Sequence, residues 1–365
     1  MKKSLFLLPG PTPIPPEVQA AMTMPMINHR GPEFPPLQHR LMDKLKQLFG
    51  TQHEVIILPT SGTGGLETAV VNFLQPGDHV LSVTTGDFGE RFMKEAITFG
   101  LNVEELAYEW GEAFQPQDIA SRLQADTDKQ IKAVLLTHNE TSTGVTNPVA
   151  EVRAAIGDHP ALLMVDAVSS LGSIEMKMDE WGLDIVITGS QKGLMVPPGL
   201  AILAVNERAW QKADDGHLPA LYLDLKTYRK GLASAKTPYT PALSLWYGLD
   251  AALDLLLAEG LEQVYARHIA MGQRIREGVS ALGCRVLADP RYASPTVTTI
   301  LPPEGIKAAA LRKNLLQKQV VVAGGQGKMA DSAFRIGHVG FYVLWEMEAA
   351  LQMLKLAIAE EGEKV

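Results

Sequence analysis

Lys192 stands in Thr188-Gly189-Ser190-Gln191-Lys192-Gly193, a polar, glycine-bracketed turn between two short apolar runs, Leu183–Ile187 and Leu200–Val205. Such runs are long enough for buried strands and too short for helices, so the lysine sits at the mouth of a sheet. An amine there is useful only if its surroundings lower its pKa or hold it against a carbonyl. Otherwise it is a solvated loop side chain. Two further positions bear on the choice. Asp166 follows the run Ala161–Val165, where a carboxylate either caps its own loop or partners a buried cation. Thr60-Ser61-Gly62-Thr63-Gly64-Gly65 follows the run Val55–Leu58 and opens a helical stretch. Unpaired N–H groups, hydroxyls and a helix dipole make that segment a phosphate cradle, or else a tight turn with an N-cap. It matches neither a nucleotide P-loop nor a dinucleotide fingerprint. One ligand uses all three features. Pyridoxal phosphate takes a lysine on its aldehyde carbon, a carboxylate on its pyridine nitrogen and a cradle on its phosphate.

These residues need a scaffold that delivers strand ends to one edge. Strand-sized runs at 55–58, 79–84, 102–107, 131–137, 161–165, 183–187 and 200–205 alternate with helical segments at 66–74, 88–99, 119–123 and 149–156. This alternation predicts an α/β fold with a mostly parallel, doubly wound, seven-stranded sheet, in which ligands bind beyond the carboxyl ends of the strands. Ahead of it, five prolines between Pro9 and Pro16 exclude helix and central strand. Residues 1–16 therefore read as an extended arm. A short helix from Pro16 and an amphipathic helix over Leu37–Phe49, closed by Gly50, follow. After the break Thr237-Pro238-Tyr239-Thr240-Pro241, long helical periodicity runs over Leu243–Leu282, with Glu259-Gly260 as a possible interruption. Strands at 296–301, 320–323 and 333–336 with helices at 308–317 and 344–359 complete a smaller α+β unit. The expected organisation is an arm (1–16), a large domain (17–255) and a small C-terminal domain (256–365).

Composition narrows the class. The chain of 365 residues is 46% hydrophobic and 20% charged, ordinary globular material. A net charge of −8 with no basic run argues against nucleic acid. The longest apolar stretches are strand-sized, so no membrane span is expected. Met1-Lys2-Lys3-Ser4-Leu5-Phe6-Leu7-Leu8-Pro9 opens like a signal peptide, but its apolar part is too short and runs into proline, which predicts a cytoplasmic protein. The single cysteine, Cys284, excludes an intrachain disulfide, a thiolate zinc cage and an iron–sulfur cluster held by this chain alone.

Nearly the whole chain resembles the class V, fold-type I pyridoxal-phosphate aminotransferases, the group of serine–glyoxylate and alanine–glyoxylate aminotransferases. The motifs are Pro9-Gly10-Pro11-Thr12, Ser61-Gly62-Thr63-Gly64, Gly86-Asp87-Phe88-Gly89-Glu90-Arg91, Thr137-His138-Asn139-Glu140-Thr141-Ser142-Thr143-Gly144, Val165-Asp166-Ala167-Val168-Ser169-Ser170, Gly189-Ser190-Gln191-Lys192-Gly193 and Phe334-Arg335-Ile336-Gly337. The branch it looks most similar to carries the label soluble hydrogenase small subunit, although one cysteine offers no ligands for redox chemistry. The resemblance implies Lys192 as the lysine that bonds the cofactor and Asp166 as the partner of its ring nitrogen. It implies Ser61, Gly62, Thr63 and Gln191 on the phosphate, Thr141 on the phenolic oxygen and Phe88 stacked on the ring. Arg335, with Gly10 beside it, would bind the substrate carboxylate as a bidentate fork. Thr240, with Tyr239, would reach the phosphate of a neighbouring subunit, implying a homodimer with shared sites. No metal is expected.

The activity implied is transfer of an amino group from a small neutral amino acid, alanine or serine, to a small 2-oxo acid such as glyoxylate or pyruvate. Two rivals stay open. A lyase of desulfurase type needs a nucleophilic cysteine on a mobile loop, and Cys284 lies in a strand-like stretch, while Gln191 stands where such relatives carry His. A non-catalytic subunit of a redox complex would have no physical use for Lys192, Asp166 and Arg335 together.

Overall fold

The structure, a computed structural model, describes residues 4–214 and 218–363. Met1-Lys2-Lys3, the charged start of the signal-like stretch, and the last two residues of the predicted small domain lie outside the described residues. In chain order the elements are β1 (Leu5–Leu7), α1 (Pro16–Ala21), α2 (Phe34–Phe49), β2 (Glu54–Leu58), α3 (Gly62–Phe73), β3 (His79–Thr84), α4 (Asp87–Thr98), β4 (Asn102–Ala107), α5 (Pro116–Ala125) and β5 (Ile131–Thr137). A hairpin, β6 (Asn139–Glu140) and β7 (Val145–Thr146), precedes α6 (Val152–Ile156), β8 (Leu162–Asp166), β9 (Ile185–Gly189), β10 (Ala201–Val205), α7 (Glu207–Asp214) and α8 (Leu225–Ala233). The remainder is α9 (Leu243–Glu259), α10 (Leu261–Ala281), β11 (Arg285–Val286), β12 (Val297–Leu301), α11 (Ala308–Gln317), β13 (Val320–Gly324), β14 (Phe334–Gly337) and α12 (Leu344–Gly362).

The seven-stranded sheet runs β2-β10-β9-β8-β5-β3-β4. Only β10 is antiparallel to its neighbours, so the carboxyl ends of β2, β3, β5, β8 and β9 share one edge. Both faces are covered. Alternate residues of β2, Val55 and Ile57 against Ile56 and Leu58, belong to separate apolar clusters, one under α2 and α9 and the other under α3 and α4. That double burial is why these strands are continuous apolar runs. The second sheet, β1-β13-β14-β12-β11, has its own core with α10, α11 and α12.

Three differences from the sequence reading bear on the site. Helix α3 begins at Gly62, because Ser61 caps it, so the cradle is the helix's first turn and not a loop ahead of it. The strand expected at 183–187 runs two residues later, since Asp184 is held by other bonds and Thr188 and Gly189 continue the ladder with β10. The proline-rich arm contributes strand β1, parallel to β13 at the edge of the second sheet, where the missing proline donors of the flanking segment cost nothing. The interruption at Glu259-Gly260 is real: Gly260 ends α9 with a positive φ of 88°.

Asp184 fixes the entrance to the strand that leads to Lys192. Its carboxylate is 1% exposed and accepts from Arg153 Nη2 (2.7 Å), Leu163 N (2.7 Å), Asn206 Nδ2 (2.8 Å) and Arg208 Nε (2.8 Å), with Arg208 Nη2 closing the second tine. Removing it strands two guanidinium groups and a buried amide. Asp184→Ala is expected to lower stability by about 3–5 kcal/mol, read as a lower urea midpoint at unchanged slope.

Candidate active site

Asp166 ends β8, Gln191 and Lys192 follow β9 by two and three positions, and Ser61–Thr63 and Phe88 open the helices that follow β2 and β3, so the shared edge brings them together, while Arg335 comes from β14 of the second sheet. A cavity of about 280 Å³ is lined by Ser61, Gly62, Thr63, Phe88, Thr141, Asp166, Gln191 and Lys192, with Gly10 of the arm at its rim. A second cavity of about 150 Å³ adjoins it, sharing Gly10, Phe88, Thr141 and Lys192 and adding Leu8, Pro9, Ala323, Gln326 and Arg335. Tyr239 and Thr240 line neither. The Tyr239 hydroxyl donates to Leu221 O (2.9 Å) and its ring packs on Tyr222 and Tyr228, while Thr240 is exposed.

Lys192 is buried, its Nζ donating to Thr141 Oγ1 (3.3 Å) and lying 5.3 Å from the Phe88 ring centroid. Burial pushes its amine well below the ordinary lysine range, with the Asp166 carboxylate opposing and the Arg335 charge adding. The arm is shaped around this side chain. Gly10 has φ +134°, and a Cβ there would meet Lys192 Cε at 2.9 Å, so only glycine fits. Thr12 then ties the arm down, its N donating to Gln191 O (3.1 Å) and its Oγ1 to Lys192 O (3.2 Å).

Asp166 caps its own loop, the first of the two readings its position allows. Oδ1 accepts from Val168 N (2.8 Å), an Asx turn, and the second oxygen makes no described hydrogen bond. Burial raises this carboxyl above the usual range, countered by the Val168 amide and by Lys192. A cation against the open oxygen would restore the ionised form. At the cradle, Ser61 Oγ accepts from Gly64 N (3.5 Å), and the amides of Gly62 and Thr63 have no carbonyl a turn behind them. A Cβ on Gly62 would lie 2.7 Å from Val168 Cγ2, which keeps the first turn against the Asp166 loop.

These unpaired groups test the fit of pyridoxal phosphate. First-turn amides with hydroxyls suit a phosphate, and the open Asp166 oxygen suits a protonated ring nitrogen. The Gln191 side-chain oxygen is buried without a hydrogen-bond partner among the described residues, and an amide can turn its N–H to a phosphate instead. The cavity and its donors fit the group.

Three further residues belong to this site without a sequence signal for their role: Glu140, Arg91 and Gln326. Glu140 is fully buried. Its Oε2 accepts from Phe88 N (3.1 Å) and Gly89 N (3.0 Å), and its Oε1 from Ser142 N (3.0 Å) and Ser142 Oγ (2.5 Å). It thus clamps the start of α4, with Phe88, to the hairpin that carries Thr141. Arg91, a turn along α4, lines the larger cavity with its guanidinium 4.9 Å over the Phe88 ring. Gln326 faces Arg335, and nothing in its glycine-rich surroundings has a period that could have marked it. Arg335 itself is 7% exposed, and burial lowers its pKa to about 10, still protonated at neutral pH. It reaches the site from β14, donating to Thr141 O (3.1 Å). Cys284 lines neither cavity; it is buried, and burial pushes its thiol up to about 11, far from thiolate chemistry.

The Glu140 clamp is testable. Glu140→Gln turns one acceptor oxygen into a donor facing amide N–H groups. Cofactor retention on dialysis is expected to weaken about 10- to 100-fold, the loss of one bond to a charged acceptor.

The family model "Aminotransferase class-V" matches residues 9–337. An L-aspartate–glyoxylate aminotransferase of Paracoccus denitrificans is 42% identical over 340 residues, 92% of this chain and 86% of the relative. A serine–glyoxylate aminotransferase of Methylorubrum extorquens is 40% identical over 370 residues, 99% of this chain and 92% of the relative. The crystal structure of an alanine–glyoxylate aminotransferase from Nostoc superposes with a TM-score of 0.91 at 29% identity, covering 98% of this chain and 96% of that one.

Proposed function

This chain belongs to the class-V aminotransferase family and is a pyridoxal-phosphate-dependent transaminase, and on that footing we propose that it moves an amino group from alanine or serine to a small 2-oxo acid such as glyoxylate or pyruvate. The observation that carries the choice is the smaller cavity, about 150 Å³ with Arg335 and Lys192 as the cations in its lining. One guanidinium serves one carboxylate. Aspartate would bring a second carboxylate among Leu8, Pro9 and Ala323, where nothing offsets its desolvation. The glyoxylate acceptor is supported by the names of relatives that differ in donor but share it.

Bound pyridoxal phosphate supplies an electron sink next to the substrate's Cα, which lets that carbon release its proton. Ser61, Gly62, Thr63 and Gln191 would hold its phosphate, Asp166 its ring nitrogen and Thr141 its phenolic oxygen, Phe88 would cover its ring, and Lys192 would bond it. The Lys192 amine would also be the group that takes the Cα proton, and its lowered pKa raises the fraction of neutral amine that this task requires. Arg335 holds the carboxylate end of the substrate, so that the Cα faces the lysine.

Holoenzyme given glyoxylate should form glycine faster from alanine or serine than from aspartate; an aspartate preference would sink the donor assignment. Borohydride reduction and peptide mapping should place a cofactor-derived mass on the Lys192 peptide, and a label on another lysine would remove Lys192 from this role.

The reading extends to a cytoplasmic homodimer without nucleic-acid or membrane partners. It is supported by the net charge of −8 and by the absence, among the described residues, of a helix long and apolar enough to cross a membrane. That Thr240 is exposed and lines neither cavity of its own chain supports a role on the phosphate of a second copy. A hydroxyl on a phosphate contributes about 1.5–3 kcal/mol, so Thr240→Val should loosen both cofactor and dimer. Sedimentation of holo and apo forms checks this; a fully active holo monomer would exclude the shared site.

A further inference from the structure

Arg335 has five N–H donors, and their use limits what it can bind. Nε–H donates to Gly324 O (2.8 Å), and Nη1 donates to Thr141 O (3.1 Å) and to Gln326 Oε1 (2.5 Å). Among the described residues only Nη2 lacks a partner. A bidentate carboxylate needs one hydrogen on each of two nitrogens. The two backbone carbonyls are fixed by the strand and the hairpin, which leaves the Gln326 side chain as the acceptor that can leave.

We propose that Gln326 is a displaceable occupant of the carboxylate site, its amide oxygen holding on Arg335 the place that the substrate's carboxylate takes. This rests on the reading of Arg335 as the carboxylate-binding residue. The geometry points to exchange because both groups face the same small cavity and because an ionised oxygen bonds a guanidinium more strongly than a neutral amide does. The carboxylate therefore wins, while an amide or ester of the same shape gains nothing over Gln326 itself. Gln326 makes the site discriminate acids from their neutral derivatives.

The side chain can leave while its backbone stays, since Gly325 N donates to Ala333 O (2.9 Å) and Met329 N to Gln326 O (2.8 Å). Gln326 lies between Gly325 and Gly327, the latter at φ +45°, in the connection from β13 to β14. Its outer end touches the loop after β4. Lys328 Nζ is 3.8 Å from Glu109 Oε2 with both side chains exposed, and Gly327 packs where a Cβ would strike Trp110 at 2.7 Å. Exposed ion pairs of that length hold little, and turning the Gln326 side chain away breaks one neutral-acceptor bond.

The test is calorimetric titration of holoenzyme with propionate, a carboxylate that cannot transaminate, and with propionamide as the neutral control. Gln326→Leu keeps the bulk and removes the competing oxygen; propionate should bind about three- to tenfold tighter and propionamide no tighter. Gln326→Glu places a competing carboxylate on Arg335 and should weaken propionate about a hundredfold. Propionate affinity within twofold of wild type in either variant, or weaker binding in Gln326→Leu, overturns the proposal. Gln326→Ala repeats the leucine measurement should that variant misfold. Arg335→Gln separates the premises: if it leaves propionate binding intact, the assignment of Arg335 falls, whereas lost binding there with an unresponsive Gln326 removes only the displacement.

Discussion

Four ionisable groups, Lys192, Asp166, Glu140 and Arg335, are buried together where the edge of the large sheet meets the small one, and charge taken out of water must be paired or hydrogen-bonded. Much of the local architecture answers that demand. Asp166 offsets Lys192, Glu140 offsets Arg335 across the hairpin, and four N–H and O–H donors converge on Glu140. None of the four could be buried alone. The site is a single electrostatic unit, not a set of independent side chains.

Thr141 is the node of that unit. Its hydroxyl accepts from Lys192 and its carbonyl from Arg335, so one residue sets the separation between the amine and the guanidinium. The arm performs a comparable task in backbone. It adds β1 to the second sheet, passes Gly337, where a Cβ would meet Leu8 C at 2.3 Å, and then bonds the turn of Lys192 through Thr12. Proline is tolerated throughout because the arm lies at an edge and its lost donors are not missed. The glycines at 10 and 337 mark the two places where it is squeezed.

What was legible in the sequence follows the same physics. Strands 79–84 and 131–137 are readable to the residue because apolar runs there end at turn residues, strand 102–107, half polar and at the sheet edge, because the alternation and the preceding Gly100 bracket it, and a shared edge follows from parallel topology alone. Lys192, Asp166 and the cradle were readable as strand-end residues. Strand β1 was not, being three residues flanked by proline, and neither was the start of α3, since a glycine-rich first turn looks like a loop until Ser61 is seen capping it. The residues that hold others in place were the least visible. Glu140 takes its role from Phe88 and Gly89, 52 and 51 positions upstream, Gln326 from a strand nine positions on that folds back over it, and Thr141 meets Arg335 across 194 positions; none of these pairings has a local sequence signal.

That distance in sequence bears on how the reaction and its specificity are separated. The groups assigned to the cofactor come from the strand ends of one sheet and from the helices and hairpin that follow them, whereas the Arg335 guanidinium comes from the other sheet and meets them at Thr141 O. Variation in the connection between β13 and β14 can therefore alter what Arg335 accepts without shifting Lys192 or Asp166. A scaffold so divided keeps one proton-transfer chemistry while its donors change, which is the pattern in relatives that share glyoxylate and differ in the amino acid named. On the proposed reading, selectivity resides in the loop that faces the guanidinium and the chemistry in the sheet beneath it.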